Sequence, residues 1–297
     1  MNPREAGFLL LTSHLGDPNR KILTVPQLRE LARRVNQREL PEDQRELTAQ
    51  DLVALGYDRQ MANRILGLLE GREQLRWYLE KGARADCCPI SRVSSQYPAA
   101  LYSRLRGETP GCLWAKGELS LLDQPAVSLV GSRDLEKQNR QFAREAGKQA
   151  ALQGIVLISG NARGADREAQ EACLAWGGSV ISVVADSLEK QPRKKNVLYL
   201  SEDGFDLNFS SQRALSRNRV IHCLGALVLV AQCGNGRGGT WDGTCKNLNR
   251  GWSPVFCYHD GTPGMEKLLE LGGKTVDIPE LSCMSALDLS KHTLFDQ

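Results

Sequence analysis

At 297 residues with a formal net charge of +3, the chain is long enough for one large domain and a small one, and too weakly basic to coat nucleic acid by bulk charge. Its 9 cysteines include no C-x-x-C pair and no zinc-ligand spacing, which predicts reduced, mostly buried thiols and no metal site. Residues 1–5 lack the charged-then-apolar order of a signal peptide, and 8–11 is too short an apolar run to span a membrane, so a soluble, cytoplasmic chain is expected.

Residues 1–85 read as helical. Segment 5–15 carries Phe8, Leu9, Leu11 and Leu15 and stops at Gly16-Asp17-Pro18-Asn19. Thr24 ahead of Pro26 predicts an N-cap, with Leu28, Leu31, Ala32 and Val35 as the apolar stripe behind it. Thr48-x-x-Asp51 has the form of a capping box, with Asp in place of Glu, before Leu52, Val53 and Leu55. Gly56-Tyr57-Asp58 is a turn, and Met61, Ile65, Leu66 and Leu69 follow on a further helix. This region resembles a SAM or helix-hairpin-helix domain, but its turn offers one glycine where G-x-G is usual, so plain helical packing is expected. Segment 84–125 then joins the two halves as a strand and turn at the edge of a sheet.

The centre of the chain is 126–166. Ala126-Val127-Ser128-Leu129-Val130 reads as a buried strand ending in Gly131-Ser132-Arg133. From 134 to about 153 the pattern is helical, with Leu135, Phe142, Ala146 and Ala150 near one face. Gly154 stops it, and Ile155-Val156-Leu157-Ile158-Ser159 is a second buried strand, running into Gly160-Asn161-Ala162-Arg163-Gly164-Ala165-Asp166. Strand, helix and strand in roughly 30 residues is a βαβ unit. Both strands leave through Gly-rich turns at their carboxyl ends, where doubly wound sheets bind ligands and helix amides meet phosphate.

The alternation continues. A helix over 168–175 ends at Trp176-Gly177-Gly178, a third strand covers 180–184, and a fourth covers 226–231. The fourth opens into Gly234-Asn235-Gly236-Arg237-Gly238-Gly239-Thr240, and 254–258 is the last core strand, followed by a helix over 263–271. The expected architecture is α/β: a doubly wound, mostly parallel Rossmann-like sheet over 86–280, preceded by an independent all-helical domain over 1–85. The tail 281–297 is expected to be too short for a further winged helix.

Three ordered motifs carry a family resemblance: Val130-Gly131-Ser132-Arg133, then Ser159-Gly160-x-Ala162-x-Gly164-x-Asp166, then Arg217-Asn218-Arg219. With Gln96-Tyr97-Pro98-x-x-Leu101 and Leu113-Trp114-Ala115-Lys116-Gly117 leading in, residues 97–273 resemble the DNA-processing protein A (DprA/Smf) family. The resemblance implies a non-enzymatic protein without cofactor that binds single-stranded DNA, forms a homodimer through its Rossmann-like domain, and hands the strand to a RecA-type recombinase in natural transformation or recombination. The chain departs from the family pattern at Gln191 (usually Tyr), at Ala214-Leu215-Ser216 (usually containing Phe-Pro) and at Gly238-Gly239-Thr240 (usually Ser-Gly-Ser, then Thr).

The candidate DNA- and phosphate-binding residues are Gly131, Ser132, Arg133, Ser159, Gly160, Arg163, Gly164, Asp166, Lys194, Lys195, Arg217, Asn218, Arg219, Gly238, Gly239 and Thr240. The glycines suit turns that need positive φ or close approach, and Ser132 and Ser159 suit N-caps. A turn needs no guanidinium at its tip, so Arg133 and Arg163 are better explained by bidentate pairing with phosphate. Asp166 suits a helix cap, or a carboxylate that holds Arg163 or a neighbouring amide. Lys194 and Lys195 are placed on the same edge as Arg133. In an extended stretch Arg217 and Arg219 would face one side, with one of them free to form a buried salt bridge instead.

A second class of function stays open from sequence. Gly238-Gly239-Thr240 is similar to part of the loop of phosphoribohydrolases that cleave nucleoside monophosphates, with Asp242 as the one carboxylate nearby.

Overall fold

The computed structural model describes residues 1–37, 47–202 and 204–289, so the end of the expected C-terminal tail, 290–297, lies outside the described residues. The amino-terminal part is helical: α1 (Pro3–Thr12), α2 (Val25–Asn36), α3 (Ala49–Ala54), α4 (Arg59–Leu69) and α5 (Arg72–Arg84). The caps read from sequence form. Thr24 and Gln27 make a reciprocal capping box, and so do Thr48 and Asp51, satisfying amides that a helix start otherwise leaves bare.

Next come β1 (Cys88–Ser91), α6 (Ala99–Leu105) and β2 (Cys112–Gly117). The central unit is β3 (Ala126–Val130), α7 (Lys137–Leu152), β4 (Val156–Ser159), α8 (Ala165–Ala175), β5 (Val180–Val183) and β6 (Val197–Glu202). The chain ends with α9 (Ser211–Ser216), α10 (Asn218–Leu224), β7 (Val228–Val230), α11 (Gly239–Arg250), β8 (Val255–Tyr258), α12 (Pro263–Glu270), β9 (Lys274–Val276) and α13 (Met284–Leu289).

The strands form one 9-stranded sheet in the order β1-β2-β6-β5-β4-β3-β7-β8-β9. From β6 to β9 every neighbouring pair is parallel, while β2 on β6 and β1 on β2 are antiparallel. The doubly wound, mostly parallel sheet is therefore what the sequence folds into, with a hairpin-like pair extending one edge. Three strands have no counterpart in the sequence reading: one of the β1–β2 pair, where a single edge strand is expected, and β6 and β9. β6 is buried along its whole length and lacks polar alternation, and β9 is only three residues long.

Alternation along the strands sends side chains to two cores. Val127, Leu129 and Leu157 join Phe142, Ala143, Ala146, Ala169 and Cys173 of α7 and α8 on one face. Val130, Val156 and Ile158 join Leu101, Val220, Ile221 and Met265 on the other. α7 and α8 approach closely because a Cβ on Gly147 would strike the backbone of Ala169.

The helical region is less independent of the sheet than its composition implies. Leu11, Leu23, Leu52, Leu55, Ala62, Ile65 and Leu68 make a small core of their own. Leu9, Leu75 and Tyr78, however, belong to the core of the sheet. Tyr78 meets Trp114 edge-on at 5.2 Å and Phe205 at 4.9 Å, and its hydroxyl donates to Asp206 at 2.8 Å. Such aromatic contacts add to simple area burial.

Candidate nucleic-acid interface

β3 is where the winding reverses: the chain proceeds outward through β4, β5 and β6, then returns to place β7 on the other side of β3. In open α/β sheets the ligand crevice lies outside the carboxyl ends of the strands at that point. A cavity of about 750 Å³ lies there, lined by the turns after β3 and β4, by α9 and α10, and by the start of α11.

The two Gly-rich turns are packed onto each other. Gly164 sits at φ +87°, and a Cβ there would strike the Ser132 and Arg133 carbonyls; the Ala165 amide donates to the Ser132 carbonyl at 3.1 Å. Gly131 is needed for a different reason, because its Cβ would collide with the side chain of Ala165. Asp166 lies inside α8 and does not cap it. Its Oδ2 accepts the amides of Gly160 at 3.1 Å and Ala162 at 3.2 Å, which corrects the capping role and holds the turn in shape. Ser132 and Ser159 do not cap helices either: α7 begins after Glu136 and α8 after Gly164, while the Ser159 hydroxyl accepts from Gln170 at 2.6 Å.

Arg217 and Arg219 diverge. The stretch they occupy is the helical junction of α9 and α10, not an extended segment, so residues two apart point to different sides. Arg217 is 9% exposed, lies on Gly160 and donates to its carbonyl at 3.1 Å, while its Nε has no acceptor. Arg219 turns to the neighbouring groove, where it meets Glu202 at 2.7 Å and the Glu108 carbonyl at 3.2 Å. Asn218 holds the start of α11 by donating to the Gly239 carbonyl at 3.0 Å. α11 itself begins behind Gly238, at φ +97°, without a side-chain cap, so Gly239 and Thr240 present unsatisfied amides at the crevice.

His222 was absent from the candidates, although its i+4 spacing from Asn218 on one helix could have revealed it. It is fully buried, and burial, followed by the charge of Arg217, pushes its pKa down to about 3. The ring is therefore neutral, and its proton can be placed. The Ser253 amide donates to Asn247 Oδ1 at 2.9 Å, so Asn247 turns its amide nitrogen to His222 Nδ1 at 3.2 Å. Nδ1 accepts, and Nε2–H is left without a partner beside the crevice. Burial also raises the Asp166 pKa, against the pull of Arg217 and the two amides, and lowers that of Arg217.

The rim is more open. Arg133 is exposed with no ion-pair partner among the described residues, and its charge is felt by Asp166 and Arg217. Arg163 pairs with Asp134 at 2.9 Å, but at 69% and 88% exposure this pair is weak and exchangeable. Arg237 and Phe209, also missed from sequence, stand at the same opening.

Lys194 and Lys195 lie elsewhere. Asn196, next to them, bonds through its side chain to the carbonyls of Gly177 and Gly178, which precede β5. Both lysines are thus at the amino ends of the strands, opposite the crevice, because the link from β5 to its parallel neighbour β6 must return the length of the sheet. Asp242 also faces away, into the groove that Arg219 lines. No carboxylate other than Asp134 and Asp166 lines the crevice among the described residues.

The model of the family described as DNA recombination-mediator protein A matches residues 89–244. The DNA processing protein DprA of Bacillus subtilis is 28% identical over 214 residues, 67% of this chain and 70% of that protein. The X-ray structure of DprA from Streptococcus pneumoniae superposes with a TM-score of 0.68 at 27% identity, covering 93% of this chain and 95% of that one. A DprA structure from Helicobacter pylori, described for its single-stranded DNA binding mode, has a TM-score of 0.57 at 22% identity over 68% of this chain and 96% of its own. That likeness bears on fold.

Proposed function

This chain belongs to the DNA recombination-mediator protein A family, and from that premise and the crevice we propose that it binds single-stranded DNA by its phosphate backbone. The observation that carries the reading is the set of donors around one opening: the exposed guanidinium of Arg133, the uncapped start of α11 at Gly239 and Thr240, and the buried charge of Arg217 behind them. Phosphate oxygens suit such a set, because they accept from guanidinium groups and from helix-start amides alike.

The strand should be single. The donors lie around one crevice at loop tips, which a flexible chain can enter and a rigid duplex cannot. Phosphate contacts position a strand without reading its sequence, and Phe209 at the rim offers a face for one base. The proposal extends to the family's wider role: a cytoplasmic homodimer that delivers its strand to a RecA-type recombinase in transformation or recombination.

A mobility-shift comparison of single-stranded DNA, duplex DNA and free mononucleotide tests the reading. Single strands are expected to bind tightest, and log K against log salt to slope at about −2 for roughly three phosphates. Preference for duplex, or a flat salt response, would refute it. Release of free base from AMP or CMP would instead favour the phosphoribohydrolase alternative.

A further inference from the structure

A second groove lies between the amino-terminal helices and α6, with a volume of about 1160 Å³. Its lining includes Arg4, Arg29, Arg92 and Arg106 beside Phe8 and Tyr102, and no aspartate or glutamate among the described residues. In a chain of net charge +3 such a one-sided collection is local. The nearby Glu30 does not offset it, because its carboxylate is taken by Arg33 and Arg34 at 2.6 Å each. Arg92 is held in the wall, its guanidinium 5.4 Å over the Phe8 ring. Arg4, Arg29 and Arg106 are exposed, and Tyr102 is 61% exposed, an aromatic face with no core to fill.

This groove neighbours the crevice by way of a third one. It shares Gly107 with an intermediate groove of about 820 Å³ in which Arg219 pairs with Glu202 and Arg250 with Glu108, and which also holds Lys246 and Asp242. The intermediate groove in turn shares Leu215 and Asn218 with the switch-point crevice. Unopposed arginines grouped beside an exposed ring, at the far end of adjoining grooves that lead from the crevice, are the makings of a second single-strand contact, in which phosphates pair with arginine and a base stacks on the aromatic.

We infer that the Arg4–Arg29–Arg92–Arg106 groove is a second contact site for the same single strand, taking phosphates at its arginines and a base on Tyr102. The inference rests on the single-strand reading of the crevice, and the two fail in different ways. Oligo-dT of about 6 nucleotides lies near the lower end of the usual ~4–16-nucleotide sites of single-strand binders, and about 20 nucleotides exceeds the upper end. The short strand reports on the crevice alone and the long one on both sites.

The long strand is expected to bind the unaltered protein about tenfold tighter than the short one. In the Arg4→Ala, Arg29→Ala double variant that advantage should largely vanish, and the salt slope for the long strand should become shallower by about 1.4, at ~0.7 per phosphate contact. Short-strand affinity should stay unchanged. Tyr102→Ala should weaken the long strand about fivefold or more, and Tyr102→Phe should preserve it, because stacking needs the ring and not the hydroxyl. No length advantage in the unaltered protein, or a length advantage and salt slope untouched by the arginine variant, would overturn the inference. Loss of short-strand binding altogether would overturn the crevice reading instead.

Discussion

The guanidinium of Arg217 occupies the space that a Cβ on Gly160 would fill, and it donates to the Gly160 carbonyl at 3.1 Å. The two residues are 57 positions apart, in separate motifs of the chain, and each explains the other. A Cβ at 160 would push aside the arginine that lies across it, and Arg217 stays buried because the turn leaves room.

Gly160→Ala should therefore destabilise the fold by about 1–3 kcal/mol, as overpacking of a filled site does. Combining it with Arg217→Ala should recover most of that loss, since the colliding group is gone. DNA affinity should not return with stability, because the crevice then lacks its central cation. Thermal melts and binding curves on the two single variants and the double variant measure the coupling. Additive stability losses would contradict the contact.

Arg133 predicts the reverse pattern. Its side chain is exposed and has no ion-pair partner among the described residues, so Arg133→Ala should leave the melting temperature nearly unchanged. Single-strand affinity should fall by about 1.5–3 kcal/mol, the range for hydrogen bonds to charged groups. Arg133→Lys should restore only part of it, because an ammonium lacks the planar fork. The loss should be alike for poly-dT and mixed sequence. Unchanged binding by Arg133→Ala would remove this residue from the interface.

Arg219 should act on stability. It meets Glu202 at 2.7 Å where the two side chains are 22% and 7% exposed. Arg219→Ala removes this pairing and should cost about 3 kcal/mol, the low end for breaking a buried pair, since the arginine keeps some contact with water. Affinity per folded molecule in the crevice should hold. A variant that melts normally but fails to bind short strands would reassign Arg219 to the ligand.

His222 should make stability fall with acid. In the unfolded chain its imidazole takes a proton as pH drops below 6.5, whereas in the fold it does so only near 3. Between those values the unfolded state holds more protons, so falling pH favours it, by up to about 1.4 kcal/mol per pH unit for one proton. His222→Gln should be less stable at neutral pH but show a shallower decline over that window in denaturant titrations. Identical slopes for the two proteins would mean that the folded imidazole is not neutral.

Lys194 and Lys195 illustrate what spacing could not determine. A basic run shortly after a strand reads as a carboxyl-end loop, and that is where the sequence places it. The structure carries the run back to the amino end, because β6 pairs parallel with β5 and no helix makes the crossing. Their joint replacement by alanine should leave short-strand affinity unaltered. A clear loss would point to an additional path for the strand.

The local features were legible without the fold: the strand-helix-strand order, the Gly-rich turns, the Thr24 and Thr48 caps, and the arginines at the turn tips. Each depends on residues within a few positions of one another, and propensity and periodicity act over that range. Side-chain direction and partnership were decided by tertiary structure. The helical junction turned Arg217 to the crevice and Arg219 to Glu202, and the turn's own amides claimed Asp166. The Asn247–Ser253 pair, 25 and 31 residues beyond His222, set the proton of that ring. These outcomes follow from burial and from hydrogen bonds between distant segments. A buried polar group must take the partner that folding brings to it, and nothing in its immediate sequence names that partner.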